Sequence, residues 1–280
     1  MRITGWIGLI VMIVMEILLF KGNRIVGLNF TPIQWWAYIF FMDALIEKIW
    51  EKSYIFHYTT EFILMSLYSF GCWLIFEFYN IYYINNWYYT ELPEEWFYRW
   101  LGYLAAFSTI FPGIFLTTRF LNYTGLFDKL AIKEWKLSKM KLFLWSFVGF
   151  VFLIFPFFYS SAYIFAIVWL GFILLLDPIN YNLGFDSILS DFAEGKVQRF
   201  LNLMLGGYIC GILWEFWNYW AIRKWIYTVP FTQDIKIFEM PLAGFSGFGP
   251  FAIECFCMYE FLKGISKKIF PKLAFDKNTI

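Results

Sequence analysis

The chain has 280 residues, of which 61% are hydrophobic and only 15% are charged. A soluble domain carries about 25% charged residues, so this composition excludes a soluble globular protein and predicts a polytopic membrane protein. The formal net charge of +1 excludes nucleic-acid binding through a basic surface. The lone histidine, His57, excludes a multi-histidine metal site. No phosphate-binding glycine loop occurs, so we do not expect an ATP-driven pump. We expect no cofactor.

Membrane spans are predicted from runs that are almost free of charge, because about 20 apolar residues cross a bilayer core. The run over 142–176 is too long for one span, and Pro156 marks a turn inside it. The fold class is therefore an all-α polytopic membrane protein with eight transmembrane helices. The predicted spans lie within residues 3–20, 25–42, 62–90, 100–118, the two halves of 142–176, 200–222 and 240–262.

The distribution of Lys and Arg predicts the orientation, since cytoplasmic loops carry an excess of both. With eight spans, one side carries 16 of the 22 Lys and Arg residues and the other side carries 6. We therefore expect both termini on the cytoplasmic side of the cytoplasmic membrane of a prokaryote. The first span lacks a small-residue cleavage site and is followed by Lys21 and Arg24, so we interpret it as a retained span.

The sequence contains an internal similarity between its two halves. Segment 72–90 reads CWLIFEFYNIYYINNWYYT and segment 210–228 reads CGILWEFWNYWAIRKWIYT, with eight of 19 positions identical. This pairing has an offset of 138, and upstream an offset of 134 pairs Trp35 with Trp169. The identity exceeds the roughly one or two matches expected by chance, so we interpret it as an internal repeat.

The repeat predicts the domain organisation. We expect a first four-helix repeat over 1–125, a basic cytoplasmic linker over 126–138, a second four-helix repeat over 139–262 and a basic cytoplasmic tail over 263–280. An even number of spans in each unit makes the repeats parallel, related by a pseudo-two-fold axis along the membrane normal.

Polar residues inside predicted spans are the candidate site. Glu77 and Asn80 are three residues apart, so they lie on one helix face, and Glu215 and Asn218 repeat the arrangement. A carboxylate inside a span costs about 2.5 kcal/mol or more unless it is paired or protonated. Each pair could tie its helix to a neighbour by hydrogen bonds or act as a proton donor or ion ligand. Glu254 lies in the middle of the last span, where the first repeat has no acid, and is a third candidate.

Aromatic residues crowd around the two Glu–Asn pairs. They favour either interfacial packing or a cage whose ring faces stabilise a cation, including a carbocation. A neutral carboxylic acid beside such a cage is what protonation of an alkene requires. The candidate substrate-binding residues are Trp73, Trp87, Tyr89, Trp214, Trp217, Trp225 and Tyr227.

The order Asn80, then the W-x-Y of Trp87 and Tyr89, then Leu-Pro-Glu-Glu at 92–95 resembles the pattern of the small membrane lycopene cyclase domains, which also occur as tandem fusions. The resemblance implies that Glu94 and Glu95 take part in acid catalysis. The second unit departs from the pattern, because residues 230–233 read Pro-Phe-Thr-Gln and contain no acid. The duplicated motif also resembles uncharacterised bacterial membrane proteins, which imply no activity.

Three functions follow as hypotheses. The first is a membrane-embedded, cofactor-free acid catalyst, a cyclase or isomerase acting on an isoprenoid or carotenoid-type lipid. The second is a proton- or cation-coupled transporter with carboxylate sites at the repeat interface. The third is a lipid-binding membrane scaffold. The expected partner in each is a membrane lipid or isoprenoid, and a homo-oligomer is compatible with all three.

Overall fold

The computed structural model describes residues 1–273 and residue 275. The chain is mostly helical, at 72%. Helices in the first half are α1 (Ile3–Phe20), α2 (Arg24–Trp50), α3 (Thr59–Tyr79), α4 (Trp96–Phe107) and α5 (Ile110–Thr124). Those in the second half are α6 (Lys139–Ile154), α7 (Phe165–Leu183), α8 (Ile188–Ala193), α9 (Gln198–Trp220) and α10 (Phe248–Ile269).

Within the described residues, seven helical segments are long and apolar enough to cross a membrane, as an integral multi-pass membrane protein requires. One of the eight predicted spans, 25–42, has no counterpart among these seven segments. It lies within α2, which is not one of them. Helix α2 is 27 residues long and buries the polar side chains of Gln34 and Asp43. The seven segments are Ile3–Phe20, Thr59–Ile84, Trp96–Thr124, Lys139–Phe157, Ala162–Leu183, Gln198–Trp220 and Leu242–Ile269.

Several predicted helix ends are wrong. The span predicted over 62–90 ends as a π-helical turn, Asn80–Ile84, and the chain then forms strand β1 (Trp87–Tyr89). The helix stops there because the Asn80 side chain accepts the backbone N–H groups of Asn86 and Trp87 at 2.7 and 3.2 Å. These bonds give the backbone an alternative to continuing the helix.

The last two boundaries also differ from expectation. Helix α10 is preceded by a 3₁₀ segment, Leu242–Gly247, and runs on to Ile269, so the first residues of the predicted tail 263–280 are helical. Residues 274 and 276–280 of that tail lie outside the described residues. The predicted linker 126–138 contains no helix and is fixed by a bridge between Ala131 and Lys196.

Two helix hairpins flank the molecule, α1 with α2 and α6 with α7. Glycine allows the close approach in each. A Cβ on Gly8 would lie 2.4 Å from the carbonyl oxygen of Ala37, and a Cβ on Gly149 would lie 2.4 Å from the backbone nitrogen of Leu175. Both contacts are shorter than atoms allow, so a larger residue at either position would push its hairpin apart.

Between the hairpins, α5, α9 and α10 pack against one another and against α2, α3 and α7. Strand β1 pairs antiparallel with β2 (Trp225–Tyr227), placing Trp87 opposite Tyr227 and Tyr89 opposite Trp225. We call this pair the ribbon. A second, shorter pair joins β3 (Lys236–Ile237) to β4 (Met240–Pro241). The ribbon is therefore built from the two copies of the repeated motif and links the two halves of the chain.

Candidate functional site

A cavity of about 600 Å³ lies beneath the ribbon. Its walls include residues of α2, α3, α4, α5, α7, α9, the ribbon and α10. Thirteen of the 30 lining residues are aromatic, and these are Trp35, Trp73, Trp87, Tyr89, Tyr98, Tyr103, Phe107, Trp169, Trp214, Trp225, Tyr227, Phe248 and Phe251. A volume in this range, an apolar lining and a few polar groups are the usual properties of a small-molecule site.

The ribbon supplies four of these aromatic residues. Side chains alternate between the two faces of a strand, so the first and third residues of each W-x-Y segment share a face. All four of these residues line the cavity: Trp87, Tyr89, Trp225 and Tyr227. The middle residue Tyr88 points away and is 51% exposed. The duplicated W-x-Y pattern therefore forms one aromatic wall.

Asn80 and Asn218 hold the two strands to their helices in the same way. The Asn80 Nδ2 donates to the carbonyl oxygen of Trp87 at 2.8 Å, and the Asn218 Nδ2 donates to that of Trp225 at 2.8 Å. The Asn218 Oδ1 also accepts the Trp225 backbone N–H at 3.0 Å. Both asparagines are buried. Their observed contacts are with the backbone of the ribbon, as anchors of the wall.

Glu77 holds the ribbon side chains of the first half. Its Oε1 accepts from the Tyr89 hydroxyl at 2.5 Å, the Trp73 indole at 2.8 Å and the Trp87 indole at 3.0 Å. All three donors line the cavity, whereas Glu77 itself does not. Glu77 thus lies behind the lining and fixes the orientation of three aromatic side chains that line the cavity.

Glu215 occupies the matching position in the second half with fewer contacts. Its Oε1 accepts from the Tyr227 hydroxyl at 2.9 Å, and the Trp225 indole donates to that hydroxyl at 2.7 Å and lies near the acid. The Glu215 side chain is fully buried. Its Oε2 has no hydrogen-bond partner of normal geometry among the described residues, although the Met240 backbone lies near.

Tyr89 and Tyr227 lie between the acids and the cavity. Burial, followed by the neighbouring carboxyl groups Glu77 and Glu215, raises the pKa of each hydroxyl well above the ordinary value of a tyrosine. Both tyrosines therefore keep their protons at neutral pH and remain hydrogen-bond donors. Each is one half of a Tyr–Glu pair whose tyrosine lines the cavity.

Trp217 and the pair Glu94 and Glu95 are predicted site residues that lie apart from this cavity. Trp217 packs against Trp35 with ring centroids 5.0 Å apart, and its indole donates to Glu16 at 3.3 Å. Glu94 and Glu95 are exposed, and neither is a lining residue. Trp217, predicted as a substrate-binding residue, therefore lies outside this cavity. The acidic pair implied by the lycopene cyclase resemblance lies outside the cavity.

Glu254 is a buried acid of another kind. It is fully buried in α10, and neither carboxyl oxygen has a hydrogen-bond partner among the described residues. Cys72, Cys255 and Cys257 are its titratable neighbours. Glu254 does not line the cavity, so the structure separates it from the two Tyr–Glu pairs.

Sequence reasoning did not place several lining residues at the site. Trp35 and Trp169 both line the cavity, and each has a buried indole N–H without an acceptor among the described residues. The pairing of Trp35 with Trp169 at the offset of 134 was the sequence signal that could have identified these two residues. The basic residues Arg99, Arg223 and Lys224 also line the cavity. No sequence pattern singled them out.

The described residues contain no group of three or more His, Cys, Asp or Glu side chains that could hold a metal ion. No protein-family model matches the chain, and neither a curated protein nor a solved structure matches it. The inferences that follow therefore depend on the residues and geometry of this chain.

Proposed function

We propose that this membrane protein binds an isoprenoid-type lipid in the aromatic cavity beneath the ribbon. The observation that carries the proposal is that both W-x-Y segments, from opposite halves of the chain, line the same cavity. An apolar chain with double bonds matches such a lining, because aromatic faces offer large apolar area and favourable contacts with π systems and cations.

The proposal includes two parallel four-helix repeats. Two sets of equivalent contacts support it. Asn80 and Asn218 bond to the ribbon strands alike. In the same way, Asp43 accepts the backbone N–H of Tyr54, 11 residues on, at 2.7 Å, and Asp177 accepts that of Ile188, 11 residues on, at 2.9 Å.

This arrangement needs eight spans, and α2 would be the span that is not among the seven segments given above. Its 27 residues would extend about 40 Å at 1.5 Å per residue, enough to cross a bilayer. Two of its buried polar side chains bond inside the protein: the Gln34 Nε2 donates to the carbonyl oxygen of Met12 at 3.1 Å, and Asp43 accepts the backbone N–H of Tyr54 at 2.7 Å. Polar residues that face the interior of a bundle are tolerated in a span.

Acid catalysis on the bound lipid is the second candidate function, and the two Tyr–Glu pairs favour it. A tyrosine hydroxyl is both donor and acceptor. With the Glu215 carboxyl protonated, Tyr227 could pass its own proton to an alkene carbon while taking the proton of Glu215. The alkene π pair would form the new C–H bond, leaving a Glu215 carboxylate and a carbocation faced by the indole rings. No contact among the described residues favours the coupled-transporter alternative.

Two glycines allow a matched test. A Cβ on Gly102 would meet nothing within 4 Å, and Gly102 lines the cavity. A Cβ on Gly71 would also meet nothing within 4 Å, but Gly71 lies on α3 away from the lining. Gly102→Leu should therefore fill the cavity without a clash, and Gly71→Leu is its control.

The measurement is mass spectrometry of lipids extracted from each protein purified in mild detergent. We expect a specific isoprenoid to be enriched with the wild type and Gly71→Leu, and depleted about tenfold with Gly102→Leu, since its side chain would occupy the ligand's volume. Recovery of only bulk phospholipid, in membrane proportions, from all three proteins would contradict the proposal.

A further inference from the structure

Three basic side chains line the cavity: Arg99, Arg223 and Lys224. All three are partly exposed, whereas Trp35 and Phe251 among the other lining residues are 1% and 5% exposed. The basic groups therefore lie at the open end of the cavity, and Trp35 and Phe251 lie deep inside it. Lys224 is already paired, because its Nζ lies 2.5 Å from Glu239.

The two arginines are held by neighbouring backbone carbonyls. The Arg223 Nε donates to the carbonyl oxygen of Glu91 at 2.8 Å. The Arg99 Nε and Nη2 donate to that of Pro93 at 3.1 and 2.8 Å. Two residues span at most about 7 Å of chain, so the segment 91–93 keeps the two guanidinium groups close together. Each retains N–H groups that these bonds do not use.

Neither guanidinium has a carboxylate within 4.0 Å in the part of the chain that the structure describes. Glu91, whose backbone carbonyl holds Arg223, directs its carboxylate to Arg24 at 3.4 Å. Burial lowers the pKa of Arg223, and Glu91 offsets this only in part. A bound anion would supply the missing opposite charge.

We propose that the ligand is an amphiphile whose phosphate head group binds Arg99 and Arg223 while its isoprenoid tail fills the aromatic cavity. Guanidinium groups match phosphate oxygens by paired N–H···O hydrogen bonds, which are among the strongest in proteins. Two arginines at the open end of an apolar cavity thus fit a charged head above an apolar tail. The inference rests on the proposed function and adds the chemical class of the head group.

The test measures binding of three probes to the full chain in detergent: farnesyl phosphate, farnesol and inorganic phosphate. We expect farnesyl phosphate to bind about tenfold or more tightly than farnesol, since a hydrogen bond to a charged group contributes enough for that factor. Arg99→Gln and Arg223→Gln should each remove most of this difference in affinity. Arg24→Gln is the matched control, because Arg24 is an exposed arginine near the same segment and does not line the cavity.

The outcomes separate the two proposals. Equal binding of farnesol and farnesyl phosphate, unaffected by the arginine variants, would overturn the head-group inference and leave the lipid cavity in place. Binding of inorganic phosphate as tightly as farnesyl phosphate would overturn it in favour of a free-anion site. Failure of both isoprenoid probes to bind, with folding verified by retained thermal unfolding, would contradict the proposed function itself.

Discussion

Glu77 and Glu215 hold equivalent positions in the repeated motif, yet their surroundings differ. Glu77 accepts from three donors, and Glu215 accepts from the Tyr227 hydroxyl while its Oε2 stays unsatisfied by normal hydrogen-bond geometry within the described chain. The two copies of the motif thus contain one acid that accepts three hydrogen bonds and one acid with a carboxyl oxygen that can still accept a hydrogen bond.

A single sequence difference explains much of this asymmetry. At the offset of 138, the counterpart of Trp73 is Gly211. A Cβ on Gly211 would lie 2.2 Å from the ring of Phe248, so α10 fills the space that an indole would need. The close packing of α9 on α10 therefore costs Glu215 one of its potential donors. If one acid transfers protons, Glu215 is the better candidate.

The largest expected effect is on the stability of Glu77→Ala. The substitution would leave the donors of Trp73, Trp87 and Tyr89 without their acceptor, and we expect it to lower the free energy of unfolding by about 4 kcal/mol. Glu215→Ala removes the acceptor of one hydroxyl, and about 2 kcal/mol is expected. Equilibrium unfolding in mixed detergent measures both. Equal losses would show that the two surroundings are energetically alike.

The next comparison is between the two asparagines. Asn80 makes three hydrogen bonds with the backbone at 86–87, and Asn218 makes two with Trp225. We expect Asn80→Ala to cost about 3 kcal/mol and Asn218→Ala about 2 kcal/mol, because buried backbone groups lose their partners. The same unfolding assay applies. For Asn80→Ala, a cost within the range of an ordinary surface substitution, below about 0.5 kcal/mol, would contradict its role as an anchor of the ribbon.

A smaller effect concerns alkaline pH. The pKa values of Tyr89 and Tyr227 are raised in the folded protein, while an unfolded tyrosine ionises near pH 10. Their contribution to stability is therefore complete below about pH 10 and is lost as pH rises from there through the folded pKa values. We expect wild-type stability to fall more steeply above pH 10 than that of the double variant Tyr89→Phe/Tyr227→Phe. Parallel curves for the two proteins would refute this assignment.

The smallest expected effect is at Glu94 and Glu95. Both side chains are exposed and away from the cavity, so the double variant Glu94→Gln/Glu95→Gln should change stability by less than about 0.5 kcal/mol. It should also retain the bound lipid in the extraction experiment. Loss of lipid conversion in this variant alone would instead favour the acid pair that the lycopene cyclase resemblance implies.

Much of the helical class was predictable from the sequence, because charge-free runs of spanning length carry a direct physical signal. The ribbon was not predictable from the sequence, since strand pairing depends on contacts between segments that lie far apart along the chain. The motif residues were found through their repetition, but their interpretation as helical was wrong at 87–89. Asn80 ends the helix there by bonding the backbone, a tertiary detail that hydropathy does not encode.

The sequence also did not predict which aromatic residues line the cavity. Trp214 lines the cavity and Trp217, three residues on, does not. Which face of α9 meets the cavity depends on how α2 and α10 pack against it, and every face of this helix is rich in aromatic residues. Arg99 and Arg223 were not predicted as site residues for a different reason. Isolated basic residues near span ends are ordinary in membrane proteins.

The most direct test of the lipid cavity is photo-crosslinking with a diazirine-bearing isoprenoid, followed by peptide mapping of the labelled protein. The account predicts labels on lining segments 101–110 and 225–227, and their loss in Gly102→Leu but not in Gly71→Leu. Labels confined to the outward-facing residues of α1 and α6, with no effect of Gly102→Leu, would contradict it.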